Sequence, residues 1–310
     1  MIRKTVEIET PGTRLSIAHR QLVIERPDEG KRTLPCEDIG VLVVDNPQIS
    51  YTHSVFTTLM EEGAAIVLCG QNHLPAGLLL PFDAHATQTE RHRAQAAAGD
   101  GVKNRAWQLL VAAKLRQQAI VLAHYTGSDA GLAAMAGRVR PGDPANLEGM
   151  AAQRYWSRLF GTNFRRHRGG PPPNDLLNYG YAVMRAAVAR ALAAAGLIPS
   201  LGVHHRNRSN PFCLADDLLE PYRAYVDWRV KSLVTDHEPA PLNREAKAAL
   251  LSLFNETVLV DERRSPLLLA IHASAASLCR MITEGGKALA LPAGLPVSPE
   301  ESDHPEPDDG

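Results

Sequence analysis

Cysteine is scarce in this chain, and the four that occur stand far apart: Cys36, Cys69, Cys213 and Cys279 form no CxxC pair. A disulfide framework or a thiolate zinc site is therefore not expected, and reduced thiols in a cytoplasm are the simplest reading. Aromatic residues are few, at 5% of 310. No apolar run reaches the roughly 18 residues a membrane helix needs; the longest candidate, 186–199, is interrupted by Arg190. The start MIRKTVEIET has no apolar stretch behind its charges, so no secretory signal is expected. Neither sign of charge is in excess. Lys+Arg number 33 and Asp+Glu 34, a formal net charge of -1, which taken whole argues against a polybasic nucleic-acid binder.

What is present is unevenly distributed. Residues 1–80 hold 21 Val, Ile or Thr and only 4 Ala, whereas residues 81–310 hold 24 and 39. β-branched side chains suit a pleated sheet and alanine suits a helix. The fold expected is α+β: a small N-terminal β-sandwich-like domain over 1–80, then a larger all-α catalytic domain over 81–290. Short strand-like runs at 5–9, 14–18, 21–25, 33–36, 40–45, 64–69 and 76–80 are separated by turn residues, with one short helix inside 50–62. Helical periodicity follows over 87–98, 102–124, 132–137, 144–160, 176–195, 215–234, 244–254 and 266–283. Residues 291–310 carry five Pro, six acidic residues and no Lys or Arg, which predicts a disordered acidic tail.

Charge follows the same division. Residues 1–80 are net -3, residues 81–290 net +8 and residues 291–310 net -6, with net +10 between residues 91 and 190. A phosphate-binding surface on the helical part would use this excess, though solvated helix faces account for it equally well. The loop cluster Arg165, Arg166, His167, Arg168, next to Gly169 and Gly170, suits a flexible track for a phosphate backbone.

Two stretches carry candidate chemistry. In GVHHRNRSNPFCLADDLLEPYRAYVD, residues 202–227, the pair His204-His205 precedes a helical segment with Asp216, Asp217 and Glu220. Positions 217 and 220, or 216 and 220, share a helix face, which Arg223 and Asp227 continue. Like charges so placed repel unless a cation or an arginine compensates them. Oxygen ligands with one imidazole suit Mg²⁺ or Mn²⁺. A solvated acidic stripe paired to Arg223 explains the same spacing. In the second stretch, NLEGMAAQRYW over 146–156, the lone acid Glu148 stands among small and apolar residues. That is unusual for a solvated face, although a first-turn acid also suits the helix dipole.

Together these elements resemble the CRISPR-associated protein one family, the integrase and endonuclease of spacer acquisition. The resemblance is carried by EGMAAQRYW from Glu148, by GVHH ending at His205, and by NPFCLADDLLEPYR containing Glu220, fifteen residues after His205. It covers roughly residues 1–290. It is nearest the subtype that works beside a large single-protein effector nuclease. The resemblance implies a catalytic metal site of Glu148, His205 and Glu220 for Mg²⁺ or Mn²⁺, with Asp217 and His204 as outer-shell candidates. It implies duplex DNA with single-stranded ends as substrate and CRISPR repeat DNA as target, with Arg165, Arg166, Arg168 and Arg223 as candidate DNA contacts. It also implies a homodimer formed largely through the β region, and two such dimers around one dimer of CRISPR-associated protein two. A non-catalytic DNA-binding scaffold and a hydrolase of small phosphate esters remain as competing readings.

Overall fold

The computed structural model describes residues 3–234 and 241–297. Its first part contains the strands β1 (Lys4–Ile8), β2 (Arg14–Ala18), β3 (Gln21–Arg26), β4 (Gly30–Pro35), β5 (Ile39–Val44), β6 (Ser50–Tyr51), β7 (Ala65–Cys69) and β8 (Pro75–Leu79), with helix α1 (His53–Glu61) between β6 and β7. They form two four-stranded sheets, one in the order β1-β5-β7-β8 and one in the order β4-β3-β2-β6. In the first, β1, β5 and β7 are parallel and β8 turns back antiparallel to β7. The two-residue β6, parallel to β2, is too short to leave a periodic signal in the sequence.

Strand β5 reads IGVLVV and is buried along its whole length. Both its faces are covered, so it lacks the apolar–polar alternation of a half-solvated strand. Leu42, Val44 and Ile66 face the N-terminal core with Leu15, Leu22, Val55 and Leu59. Val41, Val43 and Val67 face the opposite way and join the large helical core. The first sheet is therefore a shared wall between the two parts of the chain.

The helices are α2 (Gln88–Ala97), α3 (Asp100–Thr126), α4 (Leu132–Ala136), α5 (Leu147–Leu159), α6 (Asn174–Ala194), α7 (Cys213–Leu233), α8 (Arg244–Ser252) and α9 (Leu267–Glu284). Long α3 ends at Gly127 in the left-handed region, and α5 starts at Asn146, whose side chain accepts from the Gly149 N–H. Helix α7 runs on through Pro221, where a proline, lacking the N–H for an i−4 bond, suggests a kink or a helix start nearby. Gly180 lets α6 approach α7 closely: a Cβ there would lie 2.5 Å from Val226 Cγ1. Helix α9 is apolar and long enough to cross a membrane, yet just over half of it, 56%, is buried in the protein core.

Polar contacts tie the helical part to the sheet wall. Tyr179 on α6 donates to Glu7 Oε1 at 2.7 Å. Lys247 on α8 pairs with the buried Asp45, which also meets His73 Nδ1 at 3.1 Å. Arg190 Nε donates to the Gly63 carbonyl at 2.6 Å, explaining why a charge sits within the longest apolar run.

The structure departs from the sequence expectation at the C-terminal end. The helical part is not all-α, because β9 (Thr257–Val260), β10 (Arg263–Pro266) and β11 (Pro292–Val297) form a third, antiparallel sheet in the order β10-β9-β11. Residues 292–297, expected as part of a disordered tail, pair with β9 as its edge strand and lie against α3 and α7. Proline and acid content describes the segment after Val297, which lies outside the described residues, and obscured the short apolar stretch before it. An edge strand also tolerates proline, since one side of it needs no ladder. A chain ending at Leu291 should melt at least about 4 °C below one ending at Val297, as a loss of roughly 2 kcal/mol would produce in a protein of this size. Equal melting temperatures by calorimetry would show that β11 contributes nothing.

Candidate active site

Helix α3 lies against both α5 and α7, and the candidate carboxylates meet along that seam. Glu148 is the second residue of α5. Its helix start is built by Asp143, whose carboxylate accepts from the N–H groups of Leu147 at 3.0 Å and Glu148 at 2.9 Å. Glu220 sits mid-way along α7 with its side chain 5% exposed, against 25% for Glu148. Between them stands Lys114 of α3. Its Nζ donates to Glu148 Oε1 at 2.7 Å and lies 2.5 Å from Glu220 Oε2. The second contact is a close ion pair, so Lys114 bridges the two carboxylates from one ammonium. Arg223 Nε donates to the other oxygen, Glu220 Oε1, at 2.9 Å.

These contacts set the charge states. Burial would raise the Glu220 carboxyl, but Arg223 and Lys114 outweigh it and hold the group well below the ordinary carboxylate range. Burial likewise opposes the Lys114 charge, and Glu220 and Glu148 together more than restore it. The site is thus two carboxylates and two cations, closed upon itself.

His205 is fixed by a different carboxylate. Asp217, fully buried on α7, accepts from the backbone N–H groups of Val203 at 2.7 Å, His204 at 3.0 Å and His205 at 3.1 Å. Its Oδ1 also receives His205 Nδ1 at 2.6 Å. A carboxylate can only accept here, so Nδ1 carries the hydrogen and Nε2 is left as the ring's free acceptor in the neutral form. The Asp217 hydrogen bond is also the main reason the His205 pKa is raised. Gly202 makes room for this turn: a Cβ there would lie 2.5 Å from the His205 carbonyl and 2.8 Å from Asp217 Oδ2.

The other expected residues fall in different places. His204 is exposed and stacks on Trp107, ring centroids 4.0 Å apart and planes at 2°. Asp216 turns away from Glu148 and Lys114, receiving Asn210 Nδ2 at 2.7 Å and facing Arg185 at 3.7 Å. Arg166, Arg168 and Arg223 line one groove of about 330 Å³, together with Arg185 and Tyr181. The guanidinium groups of Arg166 and Arg223 lie over the Tyr181 ring at 5.2 and 4.7 Å. Arg165 turns back to the carbonyls of Thr162 and Phe164 and is absent from the groove lining. Lys114 and Arg185 lie outside the sequence motifs. Lys114 left one signal, a lone charge in the apolar run LLVAAKL of residues 109–115.

Among the described residues no three imidazole, carboxylate or thiolate groups already converge as the ligands of one ion. The donor types nevertheless suit a hard divalent cation: the two carboxylates of Glu148 and Glu220 and a tautomer-fixed imidazole. A mixed α+β chain that gathers such groups on a helical seam, beside an arginine-lined groove, has the layout of an enzyme acting on phosphate esters.

Comparison with known proteins narrows that class. The family model described as CRISPR associated protein Cas1 matches residues 6–256. A CRISPR-associated endonuclease Cas1 of Neisseria meningitidis serogroup C is 36% identical over 291 residues, covering 92% of this chain and 95% of its own. One of Pyrobaculum aerophilum is 27% identical over 297 residues, covering 89% and 98%. Among solved structures, a casposase bound to integration product has a TM-score of 0.75 at 19% identity, covering 93% of this chain and 92% of that chain. A Cas1 protein from Thermotoga maritima has a TM-score of 0.70 at 16% identity, covering 93% and 99%. The last two establish likeness of fold. The chain belongs to the Cas1 family.

Two outcomes follow from the geometry. In Asp217→Asn the His205 ring should titrate at lower pH than in the wild type, read from imidazole NMR; an unmoved titration would remove Asp217 from its positioning role. The second concerns Asp227, fully buried on α7 beneath the hydroxyls of Tyr155 at 3.0 Å and Tyr181. Burial pushes its carboxyl up to about 7, the tyrosine donors opposing. A folded pKa above the unfolded value means the folded state binds the proton better, so this stabilisation is lost as pH rises from about 4 through about 7. Asp227→Asn should lose less stability than the wild type between pH 5 and pH 8 in urea unfolding. Parallel pH profiles would contradict the buried-acid assignment.

Proposed function

We propose that this chain is the endonuclease and integrase of CRISPR adaptation, inserting short captured DNA fragments into a repeat array. The carrying observation is the meeting of Glu148 and Glu220 around one cationic position, with the His205 ring fixed by Asp217, which lies one turn before Glu220 on the same helix. In this reading the 3′-hydroxyl of the fragment attacks a repeat-border phosphodiester, the new P–O bond forming as the old P–O3′ bond breaks and frees a 3′-hydroxyl strand end, and water in its place gives plain cleavage. Glu148, His205 and Glu220 hold Mg²⁺ or Mn²⁺. The bound cation supplies charge neutralisation at the phosphoryl oxygens and lowers the pKa of the attacking hydroxyl. The chain's own residues do the rest. Asp217 fixes the His205 tautomer, Arg223 compensates the buried Glu220 charge, and Arg166, Arg168 and Arg185 offer the groove beside it to the DNA backbone.

The partners proposed are duplex DNA with single-stranded ends, CRISPR repeat DNA, a second copy of this chain, and CRISPR-associated protein two as one dimer between two. Solved relatives include a chain of a complex titled Cas6-RT-Cas1--Cas2, with a TM-score of 0.70, which supports the last of these. The subtype beside a single-protein effector nuclease rests on the His204-His205 pair and the compact N-terminal part, and a cytoplasmic location suits a DNA substrate. A non-catalytic DNA-binding scaffold is the second reading. It is favoured by one observation: Lys114 and Arg223 already balance both carboxylates.

Glu148→Ala, His205→Ala and Glu220→Ala should each lower strand transfer at least about a hundredfold, the scale of losing a group that acts in the transition state, while duplex binding is retained. Normal integration by any of these purified variants would remove that residue from the site. Saturating EDTA should abolish strand transfer by the wild type and added Mn²⁺ restore it; strand transfer indifferent to both would contradict the metal assignment, and a purified chain with no transfer under any condition would leave the scaffold.

A further inference from the structure

The charge balance of the site has a consequence for how a cation enters it. Glu148 and Glu220 together carry two negative charges, and Lys114 and Arg223 two positive ones, so the seam is neutral as it stands. Lys114 Nζ lies within 2.7 Å of Glu148 Oε1 and 2.5 Å of Glu220 Oε2. A cation held by both carboxylates must touch those same two oxygens, or their geminal partners, at about 2.0–2.6 Å. It would then lie in contact with the ammonium, in a place where water screens little because the Lys114 side chain is 11% exposed. Both cannot occupy the position.

We propose that Lys114 is an internal stand-in for the metal, and that its ammonium withdraws from between Glu148 and Glu220 when a divalent cation binds. This rests on the metal reading of the site given above. The two cations of the seam are not equivalent. Arg223 is anchored on the same helix as Glu220, hydrogen-bonded to Oε1 and laid over the Tyr181 ring, and it leaves Oε2 to the other side. Lys114 is on a separate helix, reaches Glu220 Oε2 across the seam, and has the flexible four-carbon stem that lets an ammonium swing aside. Glu148 is the more open of the two acids, at 25% exposed, so the way out leads along its side of the seam. While no metal is present, the ammonium keeps two carboxylates from facing each other without compensation. When metal enters, it must overcome that contact. Lys114 is thus a positioning residue that sets how tightly metal is held.

The test is Mn²⁺ binding to the full chain, followed by the free-ion EPR signal, with melting temperature measured alongside. If the withdrawn state is about a tenth of the population, removing the competitor tightens apparent binding about tenfold. Lys114→Met should therefore bind Mn²⁺ about tenfold more tightly and melt lower without metal, and Mn²⁺ should raise its melting temperature more than that of the wild type. Lys114→Arg should bind Mn²⁺ more weakly than wild type, because a guanidinium grips two carboxylates harder than an ammonium; its charge keeps it testable if the methionine variant fails to fold. Unchanged or weakened Mn²⁺ affinity in Lys114→Met, or unchanged or tightened affinity in Lys114→Arg, overturns the proposal. Glu148→Gln separates the two levels. If it leaves wild-type Mn²⁺ binding untouched, the metal site itself is wrong and the proposal falls with it; if it removes that binding while Lys114→Met binds as wild type does, only the role of Lys114 falls.

Discussion

Two carboxylates from two helices cannot be buried side by side unless positive charge is brought between them, and much of the helical part is arranged to do that. Helix α3 lies between α5 and α7 and delivers Lys114 to the point where Glu148 and Glu220 converge. Desolvation opposes the Glu220 charge, and the attraction of Arg223 and Lys114, with a smaller one from His205, keeps it ionised. Removing either cation would leave a buried charge short of its partner, the kind of loss that costs several kcal/mol. In the proposed function the same two carboxylates are what a divalent cation would satisfy at once.

Around this centre the supporting contacts divide into those that hold the site and those that hold the body. Asp217 belongs to the first kind. One buried carboxylate collects three backbone N–H groups and the His205 ring, so a turn with no regular secondary structure acquires a fixed shape. Gly202 is needed because the turn closes onto Asp217 within the radius of a Cβ. The contacts of Glu7 with Tyr179 and of Asp45 with Lys247 belong to the second kind, fastening α6 and α8 to the sheet wall. The Tyr181 ring, with two guanidinium groups over it and Asp227 beneath its hydroxyl, links the arginine groove to the core.

The positions of Glu148, His205 and Glu220 were legible as a motif, and Asp217 as a neighbour one helical turn before Glu220. The β-rich beginning and the long helices were legible too, because β-branched residues crowd the first 80 positions and alanine the rest. Less legible was whatever depends on a partner far along the chain. Strand β11 is held by β9, more than thirty positions earlier, and its own composition points to a tail. Pro221 reads as a kink or a helix start, but α7, packed against α3 and α6, begins eight residues before it and runs on through it. Arg165 and Arg168 look alike in a basic loop, and only the folded loop sends one to backbone carbonyls and the other into the groove.

Sequence by itself determined which residues stand as candidates for the chemistry and most of the segments that are sheet or helix. Both depend on residue type and local period, which a linear order preserves. It could not determine that a lysine in an apolar run lies between two acids, since Lys114 is 34 positions from Glu148 and 106 from Glu220, and no local rule links them. Nor could it say that Asp217 spends its carboxylate on a turn while Asp216, its immediate neighbour, turns to Asn210 and Arg185. Those assignments were made by the crossing of α3, α5 and α7, because electrostatic and hydrogen-bond partners are chosen by distance in space.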